Sequence, residues 1–323
     1  MINKLSTTSP IRSGSYIRTR TYFFEASKLL AAQITEIFDQ VWPTITALKN
    51  LRWQVRGYCD ECNIQDNSRL SEKFVEKEDK INRPNLYRTC IEQNWDEQEF
   101  YVAKNLLINL FACYEAWCED MLSIIGKTNE TKNLQFPENI ESFVANLQRN
   151  NQSALSNAFY EVYKEKAKLY HYEQIRNYLT IYRYFKECRN SMIHSSGVVS
   201  DKMHIAYTAT LNLSAEDLNV KEKPQIIAAN VGDPIKVSLR GVVGFAQIIL
   251  HIISSLDVEF IKTDIAHNYM IQKMKAKYPN PYPTDLLANK EKQVCKIVKG
   301  CYFNRPDYND ELYSYLKTNN IMR

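Results

Sequence analysis

"ALSNAFYEVYKEKAKLYHYEQIRNYLTIYRYFKECRNSMIHSSG", residues 154–197, contains no glycine or proline before its last position and is dense in helix formers and aromatics. Such a stretch predicts one long helix, or two in sequence with a joint near Tyr170–Glu173, and Gly197 is placed to cap its C-terminus. Upstream, Phe100, Leu107, Leu110, Phe111, Tyr114, Trp117, Met121 and Leu122 recur at threes and fours, predicting a strong helix from about 97 to 125 with Gly126 as its stop. Pro137 at an early position opens a shorter helix to about Leu147. Downstream, 198–224 is looser. Two short extended stretches around 226–239 flank the turn signal Gly232-Asp233-Pro234 and allow a small β-hairpin. A last strong helix is expected from about Leu239 to Met274, broken by Pro279, Pro281 and Pro283. Pro283-Thr284-Asp285 could start a helix through Val298, and Arg305-Pro306 precedes a final short one.

Toward the N-terminus, Phe23, Leu30, Ile34, Ile37, Phe38 and Val41 form a helical face, and Trp42-Pro43 is expected to kink or end that helix, with a second piece through Leu51. Residues 57–94 are polar and broken, an insertion or linker holding at most a short strand or helix. Residues 1–20, with Arg12, Arg18 and Arg20, read as an arm. The fold class is therefore all-α, divided as an N-terminal helical extension with a polar insertion (1–96), a helical core (97–275) and a C-terminal helical extension (276–323).

Composition agrees with long helices. The 323 residues are 45% apolar and include only 8 Gly and 10 Pro. The 21 Tyr could stack on bases, but the plainer reading is helix packing with a wet hydroxyl end. A net charge of +4 is too mild to demand nucleic acid and leaves room for a local basic patch. Cys113, Cys118 and Cys188 fall in amphipathic stretches and read as core residues. Cys59-Asp-Glu-Cys62 lacks the second pair a zinc site needs, unless Cys90, Cys295 or Cys301 completes it, and no cofactor is expected. With no signal peptide, a reducing cytoplasm is expected. The apolar run from Gly241 to Leu256 reads as a buried helix too short to span a membrane. Walker loops, HExxH, paired CxxC and GxSxG are absent, which argues against ATPases, zincins and ordinary serine hydrolases.

The chemistry concentrates at Arg189-Asn190-Ser191-Met192-Ile193-His194. On a helix Asn190 and His194 share a face, while Arg189 lies about 140° from His194 with a side chain long enough to reach the same cleft. In the last turn the carbonyl end of the dipole favours protonated His194, whereas Arg189 opposes it. The trio suits RNA cleavage by its own 2′-hydroxyl. That reaction needs a base, an acid and positive charge on the phosphoryl oxygens, and no metal. The same residues also suit a capping His beside a surface Arg.

"ECRNSMIHSSG", residues 187–197, resembles the signature of the HEPN superfamily, and 97–125 and 238–262 resemble the helices before and after it. The segment "GDPIKVSL" from Gly232 resembles the excursion preceding the family's last helix. The resemblance covers about 97–262. It implies Arg189 and His194 as a catalytic pair with Asn190 beside them, homodimerisation that brings two motifs into one cleft, and a metal-independent endoribonuclease of bacterial toxin–antitoxin, abortive-infection or antiviral type. It also implies an acidic residue on the first core helix, with Glu115 ahead of Glu119 as the candidate. Lys168, Arg176 and Arg183, in a tyrosine-interleaved basic region around His171, are candidates for holding an RNA backbone, although Glu161, Glu165 and Glu173 dilute it. Expected partners are thus RNA, a second copy and an antitoxin or defence-system protein, with no membrane. The alternative is a non-catalytic helical module that binds RNA or a protein; a third option is the nucleotide-modified target of an antitoxin.

Overall fold

The computed structural model describes residues 21–64, 66–75, 84–124, 130, 132–149, 153–194, 197–284 and 289–323. The arm at 1–20, the stretch at 76–83, the Gly126 stop, Ser195-Ser196 and the helix start at Asp285 lie outside them. Helices dominate: α1 (Glu25–Cys62), α2 (Asn67–Phe74), α3 (Trp95–Ser123), α4 (Lys132–Gln135), α5 (Pro137–Gln148), α6 (Ser153–Lys166), α7 (Ile175–His194), α8 (Asp201–Thr210), α9 (Leu239–Glu259), α10 (Asp264–Lys277), α11 (Lys290–Gly300) and α12 (Asp310–Thr318). The fold is all-α. Among the described residues the only β pairings are two isolated bridges, Val198 with Pro234 and Tyr282 with Met322.

Several expectations are corrected. Pro43 does not end its helix: α1 runs through it to Cys62. The Thr44 and Thr46 hydroxyls donate to the carbonyls of Gln40 and Trp42 around the interruption. No hairpin forms around Gly232. That glycine turns the chain at φ +89°, but the segment it returns to is a single bridge to 197–199. The helix expected to reach Met274 breaks after a 3₁₀ turn at Phe260–Lys262. Thr263 is extended there and its hydroxyl accepts from the Ile265 amide, capping α10. The looser 198–224 segment contains α8, capped by Ser200. The joint near Tyr170–Glu173 is present as a 3₁₀ turn at Tyr172–Gln174.

The chain divides into two compact units. The first takes residues up to 31, 114–179 and 248–323; the second takes 32–113 and 180–247. In the first unit Phe23, Phe159, Tyr163, Tyr269 and Phe303 pack ring against ring, with Phe23 at 4.9 Å from Phe303 and 5.3 Å from Tyr163. The buried Asp257 carboxylate accepts from the Phe23 and Phe24 amides at 2.6 and 3.2 Å, fixing the chain as it enters α1. The turn before α7 is stapled to one face of α9. Leu169 O meets His251 Nδ1 at 3.0 Å, the His171 amide donates to Ser255 Oγ at 3.1 Å, and Tyr170 Oη donates to Glu259 at 2.8 Å. Those three acceptor or donor positions on α9 are four residues apart, one helical face.

In the second unit Phe111, Tyr182, Phe185 and Phe245 form the aromatic core, with Phe185 stacked on Phe245 at 4.5 Å. A smaller apolar cluster collects Val55, Cys59, Ile64, Leu70, Leu86 and Cys90. Arg52 and Arg56 reach from α1 to the carbonyls of Thr89, Gln93 and Cys90 around the π turn at Arg88–Glu92. Some tyrosines pack between helices with bonded rather than wet hydroxyls: Tyr184 in this unit donates to Ile227 O, and Tyr114 in the first unit donates to Leu134 O. The segment Leu239–Lys262 spans 24 residues and is long and apolar enough to cross a membrane, so the length argument made for 241–256 does not hold; 78% of its most apolar window is buried within the protein.

Candidate active site

α7 carries the Arg-Asn-x-x-x-His stretch on its last turns, and the aromatic core of the second unit sets where each residue points. Phe185 and Cys188 are buried against that core, which turns Asn190 and Arg189 to half-buried positions and His194 to the exposed end. Burial pushes the Cys188 thiol up to about 12, so it is packing rather than a nucleophile. The Arg189 guanidinium lies 5.5 Å from the centre of the Phe111 ring. Its Nη1 donates to Asn190 Oδ1 at 3.0 Å. An aromatic face beneath and an amide oxygen alongside restrict a side chain that otherwise carries high rotamer entropy.

Past His194 the chain is braced. Gly197 adopts φ +74°, and its amide donates back to Ser191 O at 3.1 Å, tying it to the last turn of the helix. The next residues are held by Val199 N to Asp233 O at 2.9 Å, Gly232 N to Val199 O at 3.0 Å and Ile235 N to Gly197 O at 2.9 Å. The last turn of α7 is therefore anchored from both sides, although its histidine faces solvent. Around it the same segments expose apolar side chains: Ile193 at 47%, Val198 at 39% and Val231 at 54%.

The other candidates are more dispersed. Arg183 is exposed on α7 in the second unit. Lys168, Arg176 and Glu115 belong to the first unit, where the two basic residues are exposed and Glu115 is half-buried on α3. Arg176 Nε is engaged by both Glu141 oxygens at 2.9 Å, which commits part of its charge to an exposed pair. His171 lies beside His251, ring centres 5.7 Å apart. Cys59 and Cys90 share the small apolar cluster while Cys62 is exposed; burial raises the Cys59 thiol, the reverse of a thiolate prepared for metal. Among the described residues no three His, Cys, Asp or Glu side chains converge as metal ligands.

The seat provided by Phe111 was not foreseen. Its only signal in the sequence was membership of the apolar face on 97–125, which does not distinguish a core ring from one that carries a cation. No protein-family model, curated protein or solved structure matches the chain.

Proposed function

We propose that this chain is a metal-independent endoribonuclease of the HEPN kind, in which Arg189 and His194 act on the scissile phosphate and a second copy completes the site. The observation that carries the reading is the fixed Arg189 guanidinium. It is set between the Phe111 ring and Asn190 Oδ1, one and a half turns before an exposed histidine on a braced helix end. The order of α3, α7 and α9 about the motif is the order the resemblance implies and adds support.

In this reading the 2′-hydroxyl loses its proton to one imidazole and its oxygen attacks phosphorus. The P–O5′ bond breaks, and the departing 5′-oxygen takes a proton from a second imidazole. The products are a 2′,3′-cyclic phosphate and a 5′-hydroxyl. Arg189 places its positive charge against the phosphoryl oxygens as negative charge builds there. A single motif has one His194, so isologous pairing supplies the second, and the exposed Ile193, Val198 and Val231 would be covered by it. Bacterial defence or growth control, in the cytoplasm and under an antitoxin or companion protein, is the setting that goes with this reading.

Those same apolar side chains favour one other reading, a non-catalytic helical module that binds RNA or a protein partner through this surface. End-group analysis of RNA incubated with the purified protein in EDTA separates the two. Cyclic-phosphate ends made by the unmodified protein and lost with His194→Ala are expected. Intact RNA with a folded, dimeric protein would move the assignment to the binding module.

A further inference from the structure

A second site is built in the first unit, independent of the nuclease reading. A cavity of about 260 Å³ is floored by the rings of Phe23, Tyr269 and Phe303. These are buried and packed together, with Tyr269 at 6.0 Å from Phe303. Lys28, Lys273 and Lys277 stand around it, accompanied by a single carboxylate, Glu25. Glu25 is 3.5 Å from Lys28 and 4.0 Å from Lys273, leaving the cavity with an excess of positive charge. Burial pushes the Cys301 thiol in its wall up to about 11, with Lys277 and Lys273 pulling the other way.

An independent feature stands at the rim. Among the described residues four non-glycine residues have positive φ, and three are asparagines, which tolerate the left-handed region. The fourth is Tyr302, at φ +67°, directly after the cap of α11. Glycine is the ordinary residue there, because a Cβ is strained in that conformation. The strain is not repaid by packing, since Tyr302 is 77% exposed. It holds a flat aromatic face at the rim of a positively charged cavity.

We propose that this cavity binds a mononucleotide, with the phosphate among Lys28, Lys273 and Lys277 and the base stacked on Tyr302. Its volume suits a sugar-phosphate with the base left outside, and stacking on an exposed ring tolerates any base.

The test is calorimetric titration of the full chain with AMP, adenosine and inorganic phosphate, alongside melting curves. AMP is expected to bind, with adenosine and phosphate each weaker by about tenfold or more because each lacks one half of the recognition. Lys277→Gln should weaken AMP by about fivefold and reduce its salt dependence. Glu25→Gln, which removes the opposing charge, should tighten it, a gain that misfolding does not produce. Tyr302→Gly should weaken AMP by about fivefold while its melting temperature stays at or above that of the parent, because glycine relieves the backbone. No heat with millimolar AMP, or an affinity unchanged in all three variants, overturns the proposal.

Discussion

Asn190 accepts a hydrogen bond from Arg189 Nη1, and that bond helps set how the guanidinium is turned. Two substitutions separate orientation from charge. Asn190→Ala should lower RNA cleavage about tenfold, the worth of one hydrogen bond to a charged group. Asn190→Asp keeps an acceptor in place but pairs with the cation, so cleavage should fall as far as in Arg189→Ala while the denaturation midpoint hardly moves. If Asn190→Asp cleaves as well as the parent, Arg189 is not the phosphate ligand. His194 is exposed, so His194→Ala should change stability by less than about 0.5 kcal/mol whatever it does to rate. At this scale the motif was legible, because its six residues are contiguous. The Phe111 seat and the Lys28–Tyr302 cavity were not, because their members come together only when distant helices pack. The Lys164–Arg183 region, read as one basic surface, is divided between the two units, and Arg176 is paired with Glu141.

Helices were the most legible elements, their ends the least. α3, α5, α6 and α7 fall close to the ranges expected from apolar spacing and from Pro137. The misplaced ends each reflect a local rule overruled or overlooked. Pro43 costs its helix a backbone hydrogen bond, yet apolar positions on both sides, such as Leu30, Ile34, Ile45 and Val55, are buried and keep the axis continuous. Because Pro43 is exposed, Pro43→Ala should raise stability by about 1–3 kcal/mol, read from the urea midpoint. An unchanged midpoint would mean that the helix is already bent to suit the ring. Thr263-Asp264 and Ser200-Asp201 are capping signals that were present in the sequence and masked, the first by an apolar run, the second by weak periodicity. Thr263→Ala should cost about 1–2 kcal/mol, since its buried hydroxyl both donates to Phe260 O and accepts from Ile265 N.

On the scale of the whole molecule, two of the titratable groups that α9 buries, His251 and Asp257, have opposite consequences. Burial lowers His251 from 6.5 to about 4, against the hydrogen bond to Leu169 O and with His171 adding to the fall. As pH drops below about 6.5 the unfolded chain gains a proton that the folded one refuses until about 4, so stability is lost with acid. Burial raises Asp257 from 3.8 to about 7, against Ser27, the Phe23 and Phe24 amides and Lys28. There the unfolded chain releases its proton first, so stability is lost as pH rises between those values. From about 4 to about 6.5 the two protons offset each other and this pair contributes almost no slope. Asp257→Asn should expose a rise in stability with pH of up to about 1.4 kcal/mol per unit, and His251→Gln a fall of similar size. Urea midpoints between pH 4.5 and 6.5 that vary identically in parent and both variants would sink this account. The division of the chain has a consequence during synthesis. The second unit needs residues 180–247 as well as 32–113. Arg189 and His194 therefore leave the ribosomal exit tunnel before the segment that finishes their surroundings, including Phe245 of the aromatic core. Between the emergence of His194 and that of Gln247 the nascent chain lies beside ribosomal RNA with the motif already made and its framework still incomplete.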